Sequence, residues 1–434
     1  MNLKPIKYSN FLFGLILMAI TIVSCKKDKE NMLPVITVLS PLENSSYEIP
    51  DVIPIHAKIE DDELIQSISV VLVDENLKPV MDSKSYFPKS KTYSLIDDYH
   101  ISDLSLNSGD YYLKIRANDD QSFKNEYVQI YLEGIPRFLD QVIVLTTTGN
   151  NNIKVSGIEN FNVASELFFI EGDYSASEVS SEHQKLFISG IEKINLQAYD
   201  FTNLVLSWEK EVIPYWPMHN TGCLYFEDIL YTSYDYRDIF GYDFNGVDKY
   251  NSKVGDYDSP GRVFKHNDFI LCDIQKKNGS EPHISTFYSA SGVEAQRTIT
   301  SFEVLDFISK DGDIVTIVGN SNNIGYIGEY NISNNSLTNQ LYADTLFLSC
   351  TGINTNTIYI STPAYIAEYS SMQNSLIPVL NEPDIKHLIY EELSDLLVAA
   401  NDTELLILSL PELTNQKTIE FSDLILDIHL LYSK

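Results

Sequence analysis

The stretch from Phe421 to the C-terminus, FSDLILDIHLLYSK, reads as one apolar strand and a turn with no second strand to pair with. Its missing complement lies almost three hundred residues upstream, in DQVIVLTTTG (Asp140–Gly149), a second strand that lacks a first. Between the two, one unit recurs: an apolar strand, a short polar turn, then a more strongly β-prone strand. FEVLDFISKDGDIVTIVG (Phe302–Gly319), IKHLIYEELSDLLVAA (Ile385–Ala400) and GCLYFEDILYTS (Gly222–Ser233) are three examples. A repeat array that completes its first unit with its last strand is a closed ring. Closed rings of such units are β-propellers.

The second strand of each unit serves as the marker. Aligning Ile143, Phe187, Leu230, Ile270, Val315, Ile358 and Leu397 gives steps of 44, 43, 40, 45, 43 and 39 residues, the period of propeller blades. A third strand follows and commonly ends in an aromatic residue (NLQAYDF, DIFGYDF, YIGEYN, YIAEYS), then a more exposed fourth, as in LVLSWEKEV. Seven markers predict seven blades over residues 137–434. The period and strand order resemble the YncE-like and WD40-like seven-bladed propellers of secreted bacterial proteins. The Trp-Asp dipeptide of true WD40 repeats is missing, as are the tryptophan-docking motifs of quinoprotein dehydrogenases.

Residues 34–136 precede the array with another β pattern. PVITVLSP alternates with period two, and further strands are predicted at Ile53–Ile59, Ile65–Asp74, Tyr111–Ala117 and Glu126–Glu133. About seven short strands in about 100 residues fit a β-sandwich. The opening PxIxxxSPxxxxxY and the hairpin SGDYYLKIRANDD resemble the Ig-like modules of bacterial surface proteins. Asp61–Asp62 and Asp119–Asp120 read as solvated turns at strand ends, with calcium ligation the sharper alternative. The expected fold is therefore all-β: an Ig-like β-sandwich followed by a seven-bladed β-propeller closed by pairing of its N- and C-terminal strands.

The N-terminus carries an address. Lys4 and Lys7 form a basic region, and Phe11–Val23 is an apolar run too short to span a bilayer. The run ends in ITIVSC, which resembles a bacterial lipobox. That resemblance implies a signal peptide over 1–24, cleavage before Cys25, palmitate-type acylation of Cys25, and an anchored tether over 25–33. The Lys/Asp/Glu-rich KKDKEN that follows resembles the export signal of Bacteroidota outer-membrane lipoproteins. It implies an outer-membrane anchor facing the cell exterior, with a periplasm-facing anchor as the alternative.

A formal charge of −31, or −33 without residues 1–24, repels nucleic acid and leaves the lipid anchor as the membrane contact. Cys223, Cys272 and Cys350 lie in predicted strands of three different repeats with no metal-ligand spacing, and read as buried free thiols. No cofactor or metal fingerprint is present, nor GxSxG, HExxH or a P-loop.

Candidate site residues come from the loops at one mouth of the expected channel. In blades two to four these are GDYSAS, PYWPMHNT, SYDYRD and DYDSPGR. They supply Tyr174, Tyr215, Trp216, His219, Tyr234, Tyr236, Arg237, Tyr257, Asp258 and Arg262. Aromatic rings beside arginine and carboxylates form a platform for stacking sugars or gripping a protein segment. With 28 tyrosines in the chain, the competing reading is that these rings cap blade packing. His183 and His266 are placed in turns on the opposite face, and His387 and His429 within first strands as core or channel lining.

The expected function is a non-catalytic binding or scaffolding lipoprotein that takes a glycan or protein at the propeller face. The alternatives are a propeller enzyme (a polysaccharide lyase or hydrolase, or a lactonase-like enzyme) and a structural subunit of an envelope complex. Three or more His, Glu or Asp side chains converging at the channel mouth would favour the enzyme, and an open aromatic cleft the glycan.

Overall fold

The computed structural model describes residues 32–104, 106–148, 152–191, 194–211, 220–234, 238–254, 258–276 and 282–433. It is all-β, and none of these residues is helical. None lies in a helix long and apolar enough to cross a membrane. The chain divides into two compact units at Pro136/Arg137.

The first unit has eight strands: β1 (Val35–Ser40), β2 (Ser45–Glu48), β3 (Asp51–Ile65), β4 (Ser67–Val73), β5 (Lys84–Tyr86), β6 (Ser90–Ile101), β7 (Gly109–Asn118) and β8 (Phe123–Glu133). They form two sheets, β1-β3-β6 and β2-β8-β7-β4-β5. Alternation decides which side chains go inward. Ile53, Ile55, Ala57 and Ile59 of β3 are all buried while the residues between them face out. They meet Leu113, Ile115 and Ala117 of β7 and Val128, Ile130 and Leu132 of β8 in one core. Asp61 and Asp62 lie inside the bulged end of β3 rather than beyond it. Asp119 is buried and ties a turn, its Oδ1 accepting from the Gln121 and Ser122 backbone N–H groups at 2.8 and 2.5 Å.

The second unit holds seven four-stranded sheets among the described residues. One is β36 (Leu424–Tyr432), β9 (Leu139–Thr148), β10 (Asn152–Glu159) and β11 (Ser165–Glu171), in that order. The other six are each consecutive in the chain. They run from β12 (Ala176–Ser180) to β15 (Val205–Lys210), β16 (Asn220–Phe226) to β19 (Asp248–Ser252), and β20 (Asp258–His266) to β23 (Glu294–Ile299). The last three run from β24 (Glu303–Ser309) to β27 (Ser336–Ala343), β28 (Ser349–Asn354) to β31 (Ser375–Leu380), and β32 (His387–Glu391) to β35 (Thr414–Glu420). The first strands pack beside one another in cyclic order: β12, β16, β20, β24, β28, β32, β36, and back to β12. Seven radial sheets around a ring of inner strands make a β-propeller. The last strand lies antiparallel to β9, with Ile428 opposite Val144 and Leu430 opposite Val142.

The second strands are near-continuous apolar runs because each is covered on both faces. In β9, Val142 and Val144 enter the core shared with Val398, Ile407 and Ile428, whereas Ile143 and Leu145 enter the core shared with Leu186 and Ile188. Each such fully buried side chain is worth about 1.5–3 kcal/mol. Outer strands such as β35 are exposed along most of their length.

Candidate functional site

The inner strands cannot be apolar on both faces, because one face lines the channel. Four of them, β16, β20, β24 and β36, carry a β-bulge at similar positions, and in the last three the bulge presents a charged residue. In β36 two residues, Leu426 and Asp427, advance the register by one position between Ile425 and Asp427. The same happens in β24 between Val304 and Asp306. In β20, Gly261 and Arg262 together stand opposite Asp273. A bulge bends the strand and re-aims a side chain, so Asp427, Asp306 and Arg262 all line the channel.

The upper part of the channel is a cavity of about 420 Å³. Its polar lining includes Tyr174, Glu178, Arg262, Asp306, His387, Asp427 and His429, with Cys223 and Cys350 among the remaining wall residues. The lower part is larger, about 720 Å³, and more aromatic, with Phe226, Phe264 and Phe307. Asp306, Cys350 and Leu388 line both.

Asp427 is the hub of one polar cluster. Its Oδ2 accepts from the Tyr174 hydroxyl at 2.6 Å and from Ser177 Oγ at 3.1 Å, and its Oδ1 from the Ile428 N–H at 2.9 Å. His387 Nδ1 lies 3.5 Å from Oδ1, and His429 Nε2 3.5 Å from Oδ2. Burial opposes ionisation, but the two imidazoles and the Tyr174 hydroxyl hold this carboxyl well below the usual carboxylate range. Burial and the Asp427 charge push the Tyr174 phenol up, so it stays a neutral donor. Burial likewise pushes Glu178 up, against the pull of His429, whose Nδ1 is 3.9 Å from Glu178 Oε1. The cluster spans β32, β36 and the β12 end of the ring.

Ser177 Oγ also sits 2.7 Å from His429 Nε2, a nucleophile-to-base distance. The environment is wrong for acyl transfer. Negative charge developing on Ser177 would face Asp427 at 3.1 Å, a repulsion of about 5 kcal/mol at an effective dielectric of about 20.

Arg262 is the second feature. It is exposed within the cavity, and the channel wall surrounds it with protein. Asp306 and, more weakly, Asp427 raise its already high pKa, but among the described residues it makes no side-chain hydrogen bond or ion pair. Asp306 accepts from the Phe307 N–H at 2.9 Å through Oδ1. Burial raises its pKa, partly offset by Arg262. Behind Arg262 lies the buried Asp273. A Cβ at Gly261 would meet its Oδ1 and Oδ2 at 2.5 and 2.8 Å, so only glycine fits there. Asp273 holds the Arg262 backbone N–H, and Ser233 Oγ donates to the Gly261 carbonyl at 2.5 Å, which together fix the bulge.

The residues expected from the loops fare unevenly. Tyr174 joins the channel cluster. Arg262 lies within the bulged inner strand β20 rather than in a loop, because residues 258–260 already pair with β21 (Phe269–Lys276). Tyr234 is a correction. It is the last residue of the second strand of its blade, 6% exposed and edge-on to Phe240, so it belongs to blade packing. The Asp258 side chain, and Tyr215, Trp216, His219, Tyr236, Arg237, Tyr257 and the acylation candidate Cys25, lie outside the described residues. Cys223, expected to be buried, is only half-buried and lines the channel, whereas Cys272 and Cys350 are buried free thiols. His266 ends β20, with Nε2 2.8 Å from the Gly312 carbonyl.

Sequence reasoning missed Asp306, Asp427, Glu178 and Ser177. A signal was present: VLDF (304–307) and ILDI (425–428) both break period-two alternation with two apolar residues before an aspartate.

A further group, Glu182, His183 and Asp228, brings its donor atoms within 4.8 Å of one another. His183 is occupied there, with Nε2 2.8 Å from Asp228 Oδ1 and its ring stacked 3.7 Å from Phe244. These contacts make it an inter-blade turn contact.

No family model and no curated protein matches the chain. Among solved structures it is similar to a functionally unknown protein from Desulfotomaculum acetoxidans DSM 771 (TM-score 0.50, 11% identity, covering 67% of this chain and 98% of that one). It is also similar to a quinonprotein alcohol dehydrogenase-like protein from Bacteroides thetaiotaomicron VPI-5482 (TM-score 0.45, 13% identity, 91% and 99%). A third is BamB from Moraxella catarrhalis (TM-score 0.41, 10% identity, 66% and 91%). At 11% identity the likeness to the Desulfotomaculum protein concerns the fold alone, and the β-propeller is read from the ring of seven sheets itself.

Proposed function

We propose that this chain is an envelope lipoprotein, cleaved before Cys25 and acylated there, that binds a polar ligand in the mouth of its propeller channel without transforming it. In this reading the first unit is an Ig-like module that carries the propeller away from an outer-membrane anchor on the cell exterior. The basic region, the short apolar run and the cysteine after ITIVS support the anchor. The binding role rests on one observation: Arg262, a cation without a side-chain partner among the described residues, standing in a polar cavity of about 420 Å³. That volume lies within the range of small-ligand sites. The ligand is a polar solute, or the polar end of a glycan or protein.

The test is a thermal-shift screen of the full chain in detergent against glycans and polar metabolites, wild type beside Arg262→Ala. A ligand at about a hundred times its Kd stabilises the wild type by about 2.7 kcal/mol. The variant should not respond to the same ligand. Equal shifts in both proteins, or none in either, reject the channel as the site.

A second reading, catalysis, is favoured by the convergence of His387, His429, Asp427 and Glu178 on the channel. It requires that a ligand found in the screen be consumed on prolonged incubation, which mass spectrometry of the mixture would reveal.

A further inference from the structure

Resting on the binding role proposed above, we propose that the channel recognises a small zwitterion of the amino-acid type, its carboxylate on Arg262 and its ammonium on Asp306. The two residues sit on neighbouring inner strands, β20 and β24, both displaced toward the lumen by bulges. Their charges feel each other, yet their side chains do not pair. An arginine and an aspartate held near one another without an ion pair leave opposite charges on either side of an open space. Asp306 Oδ2 has no hydrogen bond among the described residues, so it is available to accept. The guanidinium offers a planar fork of N–H donors that matches a carboxylate.

The charge balance selects a zwitterion over a plain acid. The upper cavity sets Asp306, Asp427 and Glu178 against Arg262, Lys386, His387 and His429, and the two imidazoles lie against Asp427 and Glu178, which leaves Asp306 facing Arg262. Lys386 is already paired with Asp402. A ligand carrying only an anion would satisfy Arg262 and leave Asp306 facing a second negative charge. A ligand with an ammonium group a short distance from its carboxylate satisfies both sides. Asp427, with five polar neighbours of its own, is not needed as a ligand group. The cavity size suits a free amino acid or a dipeptide rather than a polymer.

The experiment is calorimetric titration of the full chain in detergent with the standard α-amino acids and glycyl dipeptides. For any that binds, its N-acetyl derivative, its methyl ester and a uronic acid are titrated in parallel. The zwitterion should bind, and each blocked derivative should bind about ten- to a hundredfold more weakly, because each removes a charge-assisted contact. Arg262→Gln should lose the preference for the free carboxylate and Asp306→Asn the preference for the free amine. The ligand derivatives test the idea on the wild-type protein even if a variant fails to fold. Binding of the uronic acid in preference to every zwitterion overturns the inference while leaving a binding role intact. Retention of affinity by both blocked derivatives overturns it as well, as does failure of every amino acid and dipeptide to bind.

Discussion

Asp273 offers the sharpest quantitative test. It is 5% exposed, its Oδ1 has no hydrogen-bond partner, and burial pushes its carboxyl from an ordinary 3.8 up to about 7. Between those values the folded propeller keeps a proton that the unfolded chain has released. Stability therefore falls as pH rises through the interval and levels off above about 7. Each pH unit is worth about 1.4 kcal/mol, so the whole interval amounts to about 4 kcal/mol. About 3 kcal/mol of this falls between pH 5 and pH 8. Asp273→Asn keeps the shape against Gly261 and removes the titration. Both tryptophans, Trp208 and Trp216, belong to the second unit, so urea unfolding followed by tryptophan fluorescence reports the propeller alone. The variant should gain on the wild type by about 3 kcal/mol as pH is raised from 5 to 8. Curves that stay parallel to within about 1 kcal/mol would refute the reasoning, since the charged carboxylate would then be well solvated where it lies.

Two further outcomes follow from the ring and its polar seam. Ile428→Ala, at a residue 1% exposed between Val142, Val144 and Ile407, should cost about 2–4 kcal/mol in the same urea assay, whereas Leu424→Ala, 42% exposed, should stay within about 0.5 kcal/mol. Asp427 has the opposite pH signature to Asp273. Its depressed pKa gives stability that is present above the ordinary carboxylate value and lost as pH falls below about 4, so the gap between wild type and Asp427→Asn should close on acidification. A gap that widens in acid would contradict the assigned partners.

Much of the ring was legible in the chain because burial on both faces writes a continuous apolar run. All seven marker residues, from Ile143 to Leu397, fall inside second strands of the seven sheets. The first unit was legible where alternation was strict, as in Ile53–Ile59. β6 was not foreseen, since KTYSLIDDYHI puts acids beside its core residues Leu95 and Tyr99. The site was the hardest part to read. The loop aromatics drew attention by residue type, while the channel is built from inner-strand residues whose direction depends on bulges. Asp306 and Asp427 lie within apolar strands and resemble tolerated interruptions until the register shift turns them inward. His387 and His429 were correctly placed in first strands, but their shared partner Asp427 required the three-dimensional ring.

The pairing of β36 with β9 also sets an order of events in the cell. A chain emerging from its N-terminal side produces β9, β10 and β11 early, and Val142–Leu145 then present an uncovered, aggregation-prone margin while the remaining sheets are made. Only Leu424–Tyr432, made after the other six sheets, shields that margin. A nonsense mutation or protease nick that removes the chain from Leu424 onward would thus leave six whole sheets and one unfinished one, a product that quality-control proteases should clear although those six sheets are intact.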